Sequence, residues 1–356
     1  MRQCACGLSR TPARACRAVP WACPHQQRFQ EPGLKQVAGF GKRAFACKAA
    51  RVMATSREGE VIENWIAENL DGGRVVKQSQ AGASSWSSAY VYHTQTGKKY
   101  FVKVSRNRDS GMFEGEALGL QALYDANSMR IPKIYHFGSL SSVAEGKGQG
   151  KGSFIVMEYL NFGGSYSQAD LGRALAEMHK AEPADETAKK GMFGFPIDNT
   201  IGGTSQPNGW MDNWVDFYRD RRLNHQLKLA KDPNLQKLGK KLCDNLDRFF
   251  EGIEVKPSVL HGDLWSGNIS GVDGQPSIFD PAVYYGHSEA DFGMSWCAGF
   301  RPAFYEAYHK VLPQQPGFAD RKQLYLLYHY LNHYNLFGGA YYSSAESILR
   351  ELTNKI

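Results

Sequence analysis

Eight consecutive residues, His261-Gly262-Asp263-Leu264-Trp265-Ser266-Gly267-Asn268, carry the strongest chemical signal in the chain. They fit the pattern H-x-D-L-x-x-x-N, whose spacing has a mechanical reason. The aspartate accepts the proton of an attacking hydroxyl. The asparagine five residues on turns back to hold a Mg²⁺ ion on nucleotide phosphates. One loop thus fixes both the nucleophile and the metal, and Asp263 reads as the catalytic base with Asn268 as a metal ligand. The bland alternative is a structural loop around a buried His–Asp pair.

The pattern requires a second metal-binding aspartate downstream. Asp291-Phe292-Gly293 spells the D-F-G of protein kinases, but it lies 28 residues beyond Asp263. Asp280 ends the apolar run Ser277-Ile278-Phe279 and lies 17 residues beyond, a short hairpin's distance. Asp280 is therefore the expected ligand, and Asp291 a structural residue that caps a helix or braces the catalytic loop. Lys103 in Tyr100-Phe101-Val102-Lys103-Val104 sits late on a strand, where a kinase places its phosphate-binding lysine. Of Glu114 and Glu116, the second shares a helix face with Leu120 and Leu123, so it points inward as the lysine's partner. The expected phosphate loop is less typical, with one glycine, Gly82, among alanines and serines whose amides can reach phosphates. Glu158, Tyr159 and Leu160 stand where a kinase hinge grips the adenine of ATP, and Met157 would line the pocket behind it.

The elements that must position these residues follow from periodicity. Arg57–Leu70 and Met112–Ala126 read as helices, and Val75–Gln80, Ala89–Thr94, Lys99–Ser105, Ile131–Phe137 and Ser153–Tyr159 as strands. Leu140–Gly152 is a Gly/Lys/Ser loop. Beyond Asp170 the chain is mainly helical: Gln168–His179, Trp210–Leu229, Leu235–Glu251, Phe304–Leu312, Arg321–Asn335 and Ser343–Lys355. A stretch of strand and loop signals interrupts it at Pro257–Pro281. The expected fold is α+β and protein-kinase-like, in two lobes: residues 53–160 a small antiparallel sheet with a helix, residues 161–356 mainly helical. The amides and aromatics Asn199, Thr204, Gln206, Asn208 and Trp214 either recognise a sugar or order a loop.

Composition limits the partners. The chain has 356 residues and a net charge of +7. Residues 1–51 hold ten basic side chains and one acid, a net +9, so the remainder is slightly acidic. A nucleic-acid role loses its support, and no apolar run is long enough for a membrane span. Five of the seven cysteines also lie in that segment, leaving Cys243 and Cys297 in the body, too few and too distant for a disulfide framework or metal cluster. An Arg/Ala/Cys-rich, acid-poor leader is the pattern of a transit peptide. Residues 1–52 are expected to be disordered and cleaved near Ala46–Ala54, with a chloroplast favoured over a mitochondrion.

At this level of detail the sequence resembles the fructosamine-3-kinase family, also known as ketosamine or ribulosamine kinases. The resemblance covers about residues 60–352. It rests on Phe101–Val104, Met112–Leu120, Phe193–Gln206 (FGFPIDNTIGGTSQ), Asn208–Leu223, His261–Asn268, Asp280–His287 (DPAVYYGH) and Tyr328–Gly338 (YHYLNHYNLFG). Aminoglycoside and choline phosphotransferases share the lobes and the Asp/Asn/Asp set but lack HGDLWSGN joined to DPAVYYGHSE. The resemblance implies an ATP- and Mg²⁺-dependent kinase. It phosphorylates the third hydroxyl of ketosamines, on glycated proteins or small amines, so that the adduct falls apart and frees the amine. It also implies that Trp265 flanks the sugar. Several relatives carry a cysteine in the phosphate loop; an ungapped match puts Ala83 there, which places a disulfide-linked dimer in doubt and leaves monomer or homodimer open. The competing readings are another small-molecule kinase of this fold, acting on an aminoglycoside, choline or a sugar, and a non-catalytic binding module.

Overall fold

The computed structural model describes residues 57–84, 86–106, 111–140 and 152–356. The expected transit peptide, residues 1–52, and most of the Leu140–Gly152 loop lie outside the described residues. The loop's ends are tied, with the Leu140 amide donating to Gly152 O at 2.8 Å.

Helix α1 (Arg57–Asn69) leads into strands β1 (Val75–Ala83), β2 (Ser88–Thr94) and β3 (Lys99–Ser105). Helix α2 (Gly111–Asp125) and strands β4 (Ile134–Ser139) and β5 (Ser153–Glu158) follow. The strands form one antiparallel sheet in the order β1-β2-β3-β5-β4. Alternation along β3 decides what each face does. Tyr100, Val102 and Val104 point to one side and pack with Ile62 and Ile66 of α1. Phe101 and Lys103 point to the other, toward α2 and the rest of the molecule. Strand β4 begins three residues later than the sequence suggests. Pro132 has no amide to give a ladder, so pairing starts beyond it.

Two glycines let α2 lie against the second half of the molecule. A side chain at Gly115 would come within 2.7 Å of Asn199 Cβ, and one at Gly119 within 2.9 Å of Val283 Cγ2. The neighbouring face presents Glu116 to β3.

The second half runs α3 (Gln168–Lys180), α4 (Glu186–Lys189), the hairpin β6 (Asn199–Ile201) and β7 (Thr204–Gln206), α5 (Trp214–Phe217), α6 (Asn224–Ala230) and α7 (Pro233–Cys243). Then come β8 (Ser258–Leu260), β9 (Ile269–Val272), β10 (Gln275–Ile278), β11 (Tyr284–Gly286), α8 (Ser295–Ala298), α9 (Pro302–Val311), α10 (Phe318–Phe337) and α11 (Tyr342–Thr353). Two expected helices are broken. Trp210–Leu229 starts only at Trp214, because Asn213 Oδ1 caps it by accepting from the Val215 and Asp216 amides, and a π-helical turn spans Tyr218–Leu223. Leu235–Glu251 starts at Pro233 on the Asp232 cap, ends at Cys243 and resumes as a 3₁₀ turn at Leu246–Phe250. No described helix is long and apolar enough to cross a membrane.

Candidate active site

The catalytic loop leaves β8, which pairs with β11, and returns through β9 and β10. Gly262 explains why a glycine stands in the second position of the pattern. Its φ is +79°, and a Cβ there would lie 2.1 Å from Ala282 O; no other residue fits. The Ala282 amide in turn donates to His261 O at 2.8 Å.

Asp291 braces this loop. It is buried, and its carboxylate accepts the His261 amide at 2.9 Å and the Gly262 amide at 2.8 Å. His179 Nε2 of α3 stands 3.0 Å from the same carboxylate, with His179 Nδ1 2.8 Å from Tyr308 OH of α9. A carboxylate only accepts, so His179 carries its proton on Nε2. Burial alone would raise the Asp291 pKa; the His179 hydrogen bond and charge, with His261 and the Gly262 amide, hold it below the usual carboxylate value. Of the two sequence readings of Asp291, the geometry is that of the brace. His261 is also internal: Nε2 donates to Phe279 O at 3.0 Å and Nδ1 accepts from the Asp263 amide at 3.2 Å, and burial lowers its pKa.

The structure brings Lys103, Glu116, Asp263, Asn268 and Asp280 together. Lys103 Nζ meets Glu116 Oε1 at 2.6 Å and also pairs with the Asp280 carboxylate. Glu116 rather than Glu114 is therefore the lysine's partner. Asn268 Nδ2 donates to Asp263 O at 2.9 Å, to Asp280 O at 3.2 Å and, more weakly, to Asp263 Oδ2 at 3.4 Å. This leaves its Oδ1 as an acceptor. Asp280 takes a left-handed backbone, φ +56°, uncommon for a residue with a side chain and characteristic of functional turns. Burial pushes the Asp263 carboxyl up to about 7; the Asn268 hydrogen bond opposes this and the Asp291 charge adds to it. A carboxyl poised near neutrality is suited to take a proton at working pH.

The residues expected to form a hinge, Glu158, Tyr159 and Leu160, lie at and just beyond the end of β5. The Glu158 amide donates to Lys133 O at 2.8 Å, and its carboxylate pairs with Arg130. Leu160 is buried and its carbonyl accepts from the Phe162 amide at 3.0 Å. The Tyr159 ring lies under Lys99 Nζ at 5.2 Å. Met157 is buried opposite Phe101. Phe162 then stacks on Phe279 at 4.3 Å, next to Asp280. Gly82 lies on β1 beside a bulge, opposite Ala89. The Trp265 indole folds over Gly267, where a Cβ would be 2.2 Å from Cη2.

The amide run resolves toward loop ordering. Asn199 Nδ2 donates to Val283 O at 2.8 Å, and Gln206 Nε2 to Ala282 O at 3.1 Å. Gln206 Nε2 and Asn208 Nδ2 also donate to Asn199 Oδ1, and Tyr328 OH donates to Gln206 Oε1. Trp214 is buried among Phe193, Phe217 and Tyr284. Sequence reasoning missed His179 and the fully buried Arg222. The Arg222 guanidinium sits 4.0 Å from the Tyr284 ring and donates to Asn208 Oδ1 at 2.7 Å. Neither residue belongs to a local pattern, so their roles emerge only from packing.

A lysine-bearing antiparallel sheet with a helix on each face, set against a helical half that carries an Asp/Asn loop and a second aspartate, defines a protein-kinase-like small-molecule phosphotransferase fold. The chain belongs to the fructosamine kinase family, whose model matches residues 59–355. It is 49% identical over 89% of its length to a chloroplastic protein-ribulosamine 3-kinase of Oryza sativa subsp. indica, covering 92% of that protein. It is 46% identical over 86% of its length to the chloroplastic protein-ribulosamine 3-kinase of Arabidopsis thaliana, again covering 92%. Among solved structures it is similar to a Thermobifida fusca protein proposed to be a fructosamine-3-kinase, with a TM-score of 0.69, 27% identity, and coverage of 83% of this chain and 99% of that one. An aminoglycoside phosphotransferase shares the fold alone, with a TM-score of 0.53 at 17% identity and coverage of 82% of this chain and 97% of that one.

Proposed function

We propose that the protein is an ATP-dependent kinase that phosphorylates the third hydroxyl of ketosamines, ribulosamine and erythrulosamine foremost, in the chloroplast. The observation that carries the chemistry is the convergence of Lys103, Glu116, Asp263, Asn268 and Asp280 at one site. The observation that carries the substrate class is near-full-length likeness to proteins named protein-ribulosamine 3-kinase. Those names include "chloroplastic", and the basic, acid-poor leader agrees with import.

In this reading the nucleotide lies between residues 53–160 and residues 161–356. Backbone groups of Glu158, Tyr159 and Leu160 hold the adenine, with Met157 behind it. Amides of the loop after Gly82 cover the phosphates. Lys103, oriented by Glu116, neutralises phosphate oxygens. The donor set fits a hard divalent cation: Asn268 Oδ1 and the Asp280 carboxylate are oxygen ligands, and Mg²⁺ characteristically completes its shell with phosphates and water. Bound there, the ion would draw charge from the phosphoryl oxygens. Asp263 accepts the proton of the sugar hydroxyl as its oxygen forms the new bond to the γ-phosphorus and the bond to ADP breaks. Trp265 offers an aromatic face to the sugar's C–H groups. Phosphorylated in this position the adduct decomposes and the amine is regained.

Incubation with ATP, Mg²⁺ and a ribulosamine-modified protein, followed by mass spectrometry, tests this. Gain of phosphate on the adduct followed by recovery of unmodified lysine is expected. Phosphate incorporation on serine or threonine, with the adduct intact, would refute it.

A further inference from the structure

Between Ala81 and Ala89 every residue is Gly, Ala or Ser except one, Trp86. The turn there is held locally. The Ser84 amide donates to Ser87 O at 2.8 Å, and the Ser87 and Trp86 amides donate to Ser84 Oγ at 3.1 and 3.3 Å. Ser105 Oγ, two residues beyond Lys103, donates to the Trp86 carbonyl at 2.9 Å. The indole then reaches across to the turn between β6 and β7. A Cβ at Gly203 would lie 2.8 Å from Trp86 Cζ3, and one at Gly202 3.7 Å from Cζ2. Leu336 Cδ1, at 3.3 Å, closes the other side of Gly202. Gly202 is accounted for by its φ of +59°, which a two-residue hairpin turn demands. Gly203 is not among the positive-φ residues, so its missing side chain is accounted for by the indole that occupies the space.

The hairpin so touched is tied into the catalytic loop. Its Asn199 and Gln206 donate to Val283 O and Ala282 O, and the Ala282 amide donates to His261 O. We propose that Trp86 is a positioning residue for nucleotide binding. It latches the phosphate loop onto the Gly202–Gly203 turn and so sets the loop's amides over the phosphates, in register with Lys103 and Asp280. Among small alanines and serines, Trp86 is the one large side chain available to span from this loop to the opposite half. The inference deepens the kinase reading and rests on it.

Calorimetric titration of the full chain with Mg²⁺ and AMP-PNP, without acceptor, tests it. Trp86→Ala should weaken binding about tenfold, leave kcat at saturating ATP within about threefold, and melt close to the parent. Trp86→Phe should recover most of the affinity. Gly203→Val, which displaces the indole from the opposite side, should weaken binding alike, and the double variant should bind no worse than either single one. Equal affinity in parent and Trp86→Ala, or additive losses in the double variant, would overturn the latch while leaving the kinase standing. No binding by the parent would overturn both.

Discussion

In the proposed reading the loop carrying Asp263 and the loop after Gly82 serve the same reaction, yet they are held in opposite ways. Around Asp263 the loop is tied into the core: Asp291 takes two amides and His179, His261 spans two backbone groups, and Gly262 leaves no room for a side chain. The loop after Gly82 is held by a serine-closed turn, the Ser105 hydroxyl and an aromatic contact. The difference teaches that proton acceptance is fixed by the core, whereas cover over the phosphates is set by a few surface contacts. Geometry for chemistry tolerates little displacement, while a cover must admit and release nucleotide.

Substitutions on the two sides should differ in size and in kind. The largest effect is expected at the base: Asp263→Asn should cost about 10²- to 10⁴-fold in kcat with nucleotide affinity nearly unchanged, checked by steady-state kinetics beside AMP-PNP titration. Next is the brace. Asp291→Ala orphans two buried amides and a buried imidazole, a loss of about 3 kcal/mol or more in unfolding free energy, read by denaturant melts, and kcat should fall with it. At the other loop, Ser84→Ala should cost under about 1 kcal/mol and raise KM for ATP about two- to threefold with kcat preserved. A Ser84→Ala as damaging as Asp291→Ala would erase the distinction.

Acidity should act on the braced side. His287 and His329 are buried and neutral, each with its pKa lowered to about 3, chiefly by burial; the Arg321 charge adds to it at His287 and the His333 charge at His329. The unfolded chain binds protons near the ordinary histidine value of about 6.5. Between about 6.5 and 3 the unfolded state therefore holds more protons, and stability falls as pH falls, by up to about 1.4 kcal/mol per pH unit for each group. Melting temperatures from pH 7.5 to 5 should decline steadily below 6.5; a flat profile would remove the neutral-core account.

The sequence made the chemistry readable where one local pattern sufficed. The place of Lys103 late on a strand pointed to a phosphate-binding lysine, and hairpin length favoured Asp280 over Asp291 despite the D-F-G spelling. Element boundaries failed where a cap or a missing amide decided them, at Asn213, Asp232 and Pro132. The Gly202–Gly203 pair marks the turn of the β6–β7 hairpin, but the surrounding run of amides hides its strands. His179 and Arg222 act across more than a hundred and about sixty residues of chain, respectively, toward Asp291 and Tyr284, so no spacing announces them.

Transfer of phosphate from ATP to a ketosamine is the activity proposed for this site. ATP consumption by the purified protein with Mg²⁺ should be followed with ribulose-lysine, fructose-lysine, free ribose and choline as acceptors. Turnover is expected on the ketosamines, greatest on ribulose-lysine, and none on ribose or choline. Turnover on ribose or choline alone, or on none of the four, would contradict it.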